Sequence, residues 1–109
     1  MILDFKSIPE TDIKNFYGGE KQITANMYVD GLNRIMTGKL APGASVGLHT
    51  HENSSEIIYV LEGTGTAIYD GEKEALAPGI CHYCPKGHNH TIINDGKKDL
   101  LFLGIVPQQ

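Results

Sequence analysis

The chain has 109 residues, of which 40% are hydrophobic and 20% charged, and its net charge at neutral pH is −4. This size is typical of a single domain, which we assign to residues 1–109. The nine Lys and Arg are scattered, so no basic face forms and nucleic acid is excluded as a partner. Asp4 and Lys6 interrupt the N-terminal apolar run, which predicts neither a signal peptide nor a membrane span. Two cysteines fit a reducing cytoplasm.

Short runs of β-branched, aromatic and aliphatic residues, bounded by Gly, Pro and Asp, predict nine strands. In chain order they lie at 21–29, 32–40, 45–51, 56–61, 65–70, 73–76, 80–84, 89–94 and 99–106. Asp-Gly pairs at 30–31, 70–71 and 95–96 supply the positive φ angles that type I′ hairpin turns need. The stretch PETDIKNF, with Pro9 at its start, is typical of a short helix. Many short strands with frequent turns predict an all-β sandwich or barrel.

The segment HTHENSSE begins with two histidines one residue apart and ends with Glu56, five positions after the second. Because alternate side chains of a strand share a face, His49 and His51 point the same way, with Gly47 beside them and Val46 on the other face. Glu56 begins the next strand, which can bring its carboxylate near both rings. Imidazole nitrogens with a carboxylate oxygen suit Fe, Mn, Co, Ni, Cu or Zn. On these residues alone, a polar loop with surface histidines is an equally open interpretation.

The spacing of glycines and ligand-type residues extends this pattern over two stretches of the chain. Gly43, His49, His51, Glu56 and Gly63 follow G-x5-H-x-H-x4-E-x6-G. Gly79, Pro85, Gly87, His90 and Asn94 follow G-x5-P-x-G-x2-H-x3-N. Residues 43–63 and 79–94 therefore resemble the first and second motifs of the cupin superfamily.

The resemblance implies a double-stranded β-helix, the RmlC-like jelly-roll barrel of cupins. It also implies that His49, His51, Glu56 and His90 hold one divalent transition metal inside the barrel. An octahedral ion with these four ligands would keep two positions open for a small-molecule ligand or for dioxygen.

Cys81 and Cys84 form a C-x-x-C pair on the predicted strand 80–84. Positions three apart on a strand face opposite sides and lie about 10 Å apart, which excludes a disulfide between them. A redox motif would need a helix start, and a zinc site would need a second pair. We therefore expect both cysteines to be packing residues.

Three further side chains are candidates for a role in the pocket. His88 lies just before His90 and is the candidate for an outer or proton-handling role, whereas His82 either lines the barrel or pairs on its surface. Arg34 could bind a substrate carboxylate through a bidentate contact, with an inert rim position as the alternative.

The cupin fold hosts many chemistries, so the function rests on the site. The leading hypothesis is a metal-dependent oxygenase or decarboxylase, with isomerase chemistry also open, acting on a small metal-chelating organic molecule. The alternatives are a non-catalytic binding protein and a metal that only braces the barrel. We also expect a homodimer, because the N-terminal stretch and the run LLFLGIV offer strand edges to be covered.

Overall fold

The computed structural model describes every residue from Met1 to Gln109 and contains ten strands in two antiparallel sheets. The strands are β1 (Glu10–Lys14), β2 (Gln22–Val29), β3 (Asn33–Leu40), β4 (Ser45–Thr50), β5 (Glu56–Glu62), β6 (Gly65–Tyr69), β7 (Glu72–Leu76), β8 (Cys81–Cys84), β9 (Asn89–Ile93) and β10 (Leu100–Pro107). The larger sheet has the order β1-β2-β3-β10-β5-β8 and the smaller sheet the order β4-β9-β6-β7. The predicted all-β jelly roll is confirmed.

Alternate residues of the strands point inward and form one core between the sheets. On β10 every second side chain from Leu100 is buried, and Phe102 packs its ring over Gly38 on β3, where a Cβ would lie 2.5 Å from the ring. Two inward rows begin with a polar residue and continue with apolar ones, at Glu56 on β5 and at His90 on β9. The polar ends of these rows therefore meet at one end of the apolar core.

The predicted helix at PETDIKNF is wrong, because this stretch forms β1 and then a 3-10 turn at Phe16–Gly18. β1 pairs with β2 along its whole length, and Thr24 donates a hydrogen bond to Asp12 across the pair at 2.7 Å. Pairing with a neighbouring strand overrides the weak local preference. The only other helical segment is a 3-10 turn at Phe5–Ser7, and no helix in the chain has the length and apolarity to span a membrane.

Of the three Asp-Gly pairs, only Asp70-Gly71 has the positive φ angles of a type I′ turn, at 47° and 84°. The β2–β3 turn is instead closed by the carboxylate of Asp30, which accepts hydrogen bonds from the backbone N–H of Leu32 and Asn33 at 2.8 and 2.7 Å. The third pair connects β9 to β10, which lie in different sheets, so it closes no hairpin. The Asp side chain, as well as the glycine, therefore decides the turn geometry.

β4 departs from simple alternation between Val46 and His49, where its pairing register with β9 shifts. Val46 is consequently buried in the core, not on the outer face as expected. Gly47 lies at this irregularity, and a Cβ there would come within 2.0 Å of the carbonyl oxygen of Tyr17. The glycine thus lets the 3-10 turn at Phe16–Gly18 pack directly on β4.

The expected free edge at LLFLGIV is also wrong, because β10 lies between β3 and β5 in the middle of the larger sheet. One face of this apolar run is buried in the core and the other is half-buried. The end strands of the larger sheet are β1 and β8.

Candidate metal centre

Four side chains from three regions of the chain converge at the polar end of the core. His49 comes from β4, His51 follows that strand, Glu56 begins β5, and His90 lies on β9. The Nε2 atoms of the three imidazoles lie 3.1 Å (His49 to His51), 3.0 Å (His51 to His90) and 3.2 Å (His90 to His49) apart. His51, Glu56 and His90 are buried, and His49 is nearly so. The structure therefore brings together all four residues that the motifs imply.

The carboxylate of Glu56 completes the cluster. Its Oε1 lies 3.2 Å from Nε2 of His51, 3.0 Å from that of His90 and 3.9 Å from that of His49. Burial acts to raise the pKa of Glu56, but the neighbouring imidazoles of His49, His51 and His90 outweigh it and hold this pKa well below its usual range. The group is therefore an ionised carboxylate, as a metal ligand must be.

The outer nitrogens of two of the imidazoles are held by groups close in sequence. His49 donates from Nδ1 to the carbonyl oxygen of Gly47 at 2.8 Å, which leaves its Nε2 lone pair facing the cluster. Nδ1 of His51 lies 2.9 Å from the hydroxyl of Ser54. Both contacts orient the rings as ligating histidines need, and the Gly47 carbonyl, which can only accept, also fixes the tautomer of His49.

The outer nitrogen of His90 contacts a residue whose role the sequence left open. Its Nδ1 lies 2.9 Å from Nε2 of His82, whose own Nδ1 lies 2.8 Å from the carboxylate of Glu74. The side chain of His82 is completely buried, so it lines the barrel, the first of its two open interpretations. Burial lowers the pKa of His90 despite the neighbouring Glu56, which favours the neutral ring that ligates metals.

The spacing of the four donor atoms fits an octahedral ion. With metal–ligand bonds of about 2.1 Å, neighbouring donors lie about 3.0 Å apart and opposite donors about 4.2 Å. The separation of His49 and Glu56, 3.9 Å, is close to the opposite distance. All other pairs are 3.0–3.2 Å apart, close to the neighbouring distance. By spacing and by chemistry, these side chains could hold one divalent transition metal.

A cavity of about 400 Å³ opens beside the cluster at His51. Arg34 lines this cavity, and with His49 and Glu56 it also lines a small void inside the barrel. Its Nε is buried without a hydrogen-bond partner, and its guanidinium lies 5.8 Å from the centre of the Phe16 ring. None of the ion pairs in the structure involves Arg34. A cation without a protein partner thus lies next to the four donors.

Tyr17 covers one side of the cluster by stacking on His49, with ring centres 4.0 Å apart and planes tilted by 10°. Its φ angle of 52° is rare for an aromatic residue. Its carbonyl oxygen lies against Gly47, where a Cβ would come within 2.0 Å. Strained backbone of this kind is typical of residues that shape a functional site.

His88, the predicted candidate for proton handling, makes its contacts elsewhere. Its Nδ1 lies 2.5 Å from a carboxylate oxygen of Asp70 and 3.0 Å from the hydroxyl of Tyr69, and its side chain is 44% exposed. The hydrogen bond from His88 lowers the pKa of Asp70. The carbonyl oxygen of His88 accepts a hydrogen bond from the N–H of His51 at 3.0 Å, whereas its imidazole contacts Asp70 and Tyr69. Its catalytic role stays a prediction.

The two cysteines lie on opposite faces of β8, as the strand argument predicts. Cys81 is exposed, Cys84 is buried, and both are free thiols. Burial raises the pKa of Cys84 to about 11, so this thiol is protonated and unreactive at neutral pH. Only Cys84 packs inside the barrel, and the expectation that Cys81 does so is wrong.

Comparisons with known proteins agree with this architecture. A model of the family described as "Cupin domain" matches residues 36–106, which contain all four cluster residues. An oxalate-binding protein of Thermotoga maritima is 41% identical over 68 residues, covering 62% of this chain and 56% of that protein. An uncharacterized protein of Methanocaldococcus jannaschii is 35% identical over 79 residues, covering 72% of this chain and 62% of that protein. The chain thus matches less than two thirds of the length of these curated relatives.

Solved structures extend the similarity to the whole chain. The crystal structure of a predicted oxalate decarboxylase from Thermotoga maritima superposes with a TM-score of 0.93 at 30% identity, covering 100% of both chains. The cupin domain of Schizosaccharomyces pombe Cnp3 superposes with a TM-score of 0.81 at 10% identity, covering 100% of this chain and 74% of that one. At such low identity the second match shows the fold alone.

Proposed function

This chain belongs to the cupin domain family, and from that premise we propose that it is a metal-dependent enzyme for a small metal-chelating organic acid. The proposed chemistry is of the decarboxylase or oxygenase type. The observation that carries the proposal is the pairing of a four-donor cluster with the unpartnered guanidinium of Arg34 beside the same cavity.

His49, His51, Glu56 and His90 would hold one divalent ion, for which Fe, Mn, Co, Ni, Cu and Zn all suit the donor set. Such an ion supplies Lewis acidity to a bound carboxylate or carbonyl oxygen, or a binding position for dioxygen. The residues of the chain orient the ligands, bind the organic acid and restrict access of water.

The donor count supports a chelating ligand. An ion held by His49, His51, Glu56 and His90 would keep positions open if it takes six ligands, and two oxygens of one small acid could fill them. Oxalate is the first compound to test, because it fits this arrangement and because the names of two relatives mention it.

Arg34 supports an anionic ligand. A buried guanidinium nitrogen without a partner is costly, and a carboxylate that reaches it would satisfy it by a charge-assisted hydrogen bond. We therefore assign to Arg34 the binding of a substrate carboxylate. Phe16 and Tyr17, which pack against the guanidinium and His49, restrict water at the same place. His88 does not line the cavity, so a catalytic role for it requires its contacts with Asp70 and Tyr69 to break.

Binding without turnover is the second candidate function. The only carboxylate that lines the cavity is Asp30, and it is already occupied by the backbone N–H groups of Leu32 and Asn33. No second carboxylate is therefore free beside the cluster. The name "Oxalate-binding protein" of one relative supports the same alternative.

Elemental analysis of untagged protein purified without chelator tests the metal, and calorimetric titration of the metal-loaded protein with oxalate tests the ligand. Decarboxylation would release carbon dioxide, and oxygenation would consume dioxygen. Turnover supports the enzyme, and binding without turnover supports the binding protein. Absence of metal even after incubation with Mn²⁺, Fe²⁺ or Co²⁺ would overturn both.

A matched pair of variants tests the assignment of Arg34. Arg34→Gln should weaken oxalate binding by about 10- to 100-fold, the range expected for a lost hydrogen bond to a charged group. Lys39→Gln removes a positive charge from the other face of the same strand and should leave binding unchanged. Equal affinity of the two variants would refute a direct role for Arg34.

We further propose that the chain forms a homodimer through the outer face of the larger sheet. Tyr28, Ile35, Ile105, Ile57 and Tyr83 lie opposite one another across five neighbouring strands. The adjacent row contains Asn26, Thr37, Leu103, Tyr59 and Cys81. Neither row contains a charged residue, and each row is about 20 Å long at the usual strand spacing. A two-fold axis would lay this apolar face on its own copy.

Light scattering at micromolar protein tests the homodimer. Tyr59, which is 43% exposed on this face, can be replaced by Lys, and the outward Leu48 on the smaller sheet provides a control at 65% exposure. Tyr59→Lys should shift the mass toward the monomer, and Leu48→Lys should not. A monomeric mass for the natural protein would refute the proposal.

We also propose that the protein works in a reducing compartment such as the cytoplasm. Both thiols are free, and the exposed thiol of Cys81 is open to oxidation.

A further inference from the structure

His82 and Glu74 form a chain of contacts from the protein surface to the metal cluster. Nε2 of His82 lies 2.9 Å from Nδ1 of His90, and Nδ1 of His82 lies 2.8 Å from Oε1 of Glu74. The planes of the His82 and His90 rings are tilted by only 16° and their centres lie 5.1 Å apart, as expected for rings joined edge to edge by a hydrogen bond. The side chain of His82 is 0% exposed, whereas that of Glu74 is 46% exposed. Both nitrogens of a fully buried imidazole are therefore used, one on each side.

The contacts define a direction for the hydrogen bonds once Nε2 of His90 serves as a metal ligand. A neutral imidazole that ligates through Nε2 carries its proton on Nδ1, so His90 donates to Nε2 of His82. His82 then carries its own proton on Nδ1 and donates to the carboxylate of Glu74. Each ring has a single tautomer compatible with this order, and the carboxylate can only accept.

This arrangement differs from those behind the other two imidazoles. His49 is held by the backbone of Gly47 and His51 by the hydroxyl of Ser54, so both partners are neutral and close in sequence. His90 instead contacts a second imidazole, that of His82 on β8, and His82 contacts the negatively charged carboxylate of Glu74 on β7. These are end strands of opposite sheets. The contact therefore also links the two sheets where neither end strand has a further neighbour.

We propose that His82 and Glu74 are positioning residues that fix the tautomer and orientation of His90 and strengthen it as a metal ligand. The inference rests on the proposed metal site and assigns to it two residues outside the four-donor cluster. The negative charge of Glu74, transmitted through His82, increases the electron density of the His90 ring, which makes its Nε2 a better donor. Removal of either partner should therefore weaken metal binding without removing a ligand.

The test measures the affinity of the full chain for Co²⁺ by competition with a chelating indicator, together with the visible absorption spectrum of bound Co²⁺. Glu74→Ala should weaken binding by about 10-fold and His82→Phe by about 10- to 100-fold, the range for partners of metal-ligating histidines. Glu74→Gln keeps an acceptor oxygen for His82 and should recover part of the loss. Glu72→Ala, on the same exposed strand two residues away, should have no effect.

Thermal unfolding of the metal-free variants separates positioning from folding. Because Glu74 is largely exposed, Glu74→Ala should keep the unfolding temperature of the metal-free protein while changing the Co²⁺ affinity and spectrum. A lower unfolding temperature in metal-free Glu74→Ala with unchanged Co²⁺ affinity would show a merely structural role and overturn the inference. Equal affinity and spectrum in the natural protein and Glu74→Ala would overturn it as well. Absence of Co²⁺ binding in the natural protein would overturn the metal site itself, and the inference with it.

Discussion

His88 and His90 lie two residues apart in the sequence and meet carboxylates in different parts of the molecule. His90 lies inside the barrel with a side chain that is 0% exposed, and it meets Glu56 and the imidazoles of His49, His51 and His82. His88 lies just before β9 with a side chain that is 44% exposed, and it meets Asp70 and Tyr69. Similar residue types thus form a convergent buried group in one place and a surface pair in the other.

Burial and convergence, and not residue type, therefore distinguish the candidate metal centre from the surface pair. An exposed pair such as His88 and Asp70 contributes little to stability, because water solvates both partners and screens them. A buried carboxylate among imidazole lone pairs is costly to desolvate. A bound cation would offset that cost, since it satisfies all four donors at once.

The largest expected difference between the two sites is in metal binding. His51→Ala should weaken the affinity for Co²⁺ by more than about 100-fold, beyond the range typical of an outer partner, because it removes a donor. His88→Ala should bind Co²⁺ like the natural protein. Competition with a chelating indicator measures the Co²⁺ affinity of both variants. A similar loss of affinity in the two would show that His88 also belongs to the metal site.

A smaller effect, on the stabilisation of the protein by metal, is expected when Glu56 or Asp70 loses only its charge. Saturating the natural protein with metal at 100 times its dissociation constant should stabilise it by about 2.7 kcal/mol. Glu56→Gln should lose most of this gain at the same metal concentration, because the amide is a weaker ligand than the carboxylate. Asp70→Asn should retain it. Thermal unfolding with and without metal reports the difference, and an unchanged gain in Glu56→Gln would count against that residue as a ligand.

The smallest effect concerns the surface cluster and pH. The folded protein lowers the pKa of Asp70 from its ordinary value of 3.8, chiefly through the hydrogen bond from His88. The group therefore adds stability above this ordinary value, and the contribution disappears as the pH falls through the lowered folded value. Urea unfolding of the natural protein and Asp70→Asn should differ slightly at neutral pH and converge in strong acid. A difference that grows toward acid pH would show that the sign is wrong.

The strand positions could be predicted from the sequence because short apolar runs bounded by turn residues are a local signal. The same alternation predicted that His49 and His51 point the same way, and it placed Glu56 in the inward row of β5. The prediction from alternation was wrong at Val46, because the register shift that turns this residue inward arises from the pairing of β4 with β9.

The sequence by itself determined the all-β fold class and the four residues of the candidate metal centre, since period-two alternation and motif spacing are properties of the chain alone. Only the tertiary structure decided that PETDIKNF is a strand, because its partner β2 supplies the hydrogen bonds. Only the tertiary structure, likewise, decided that His82 and not His88 contacts the cluster. The contacts of His82 come from β7 and β9 of the opposite sheet, and such an encounter depends on how the two sheets pack, which no local pattern encodes.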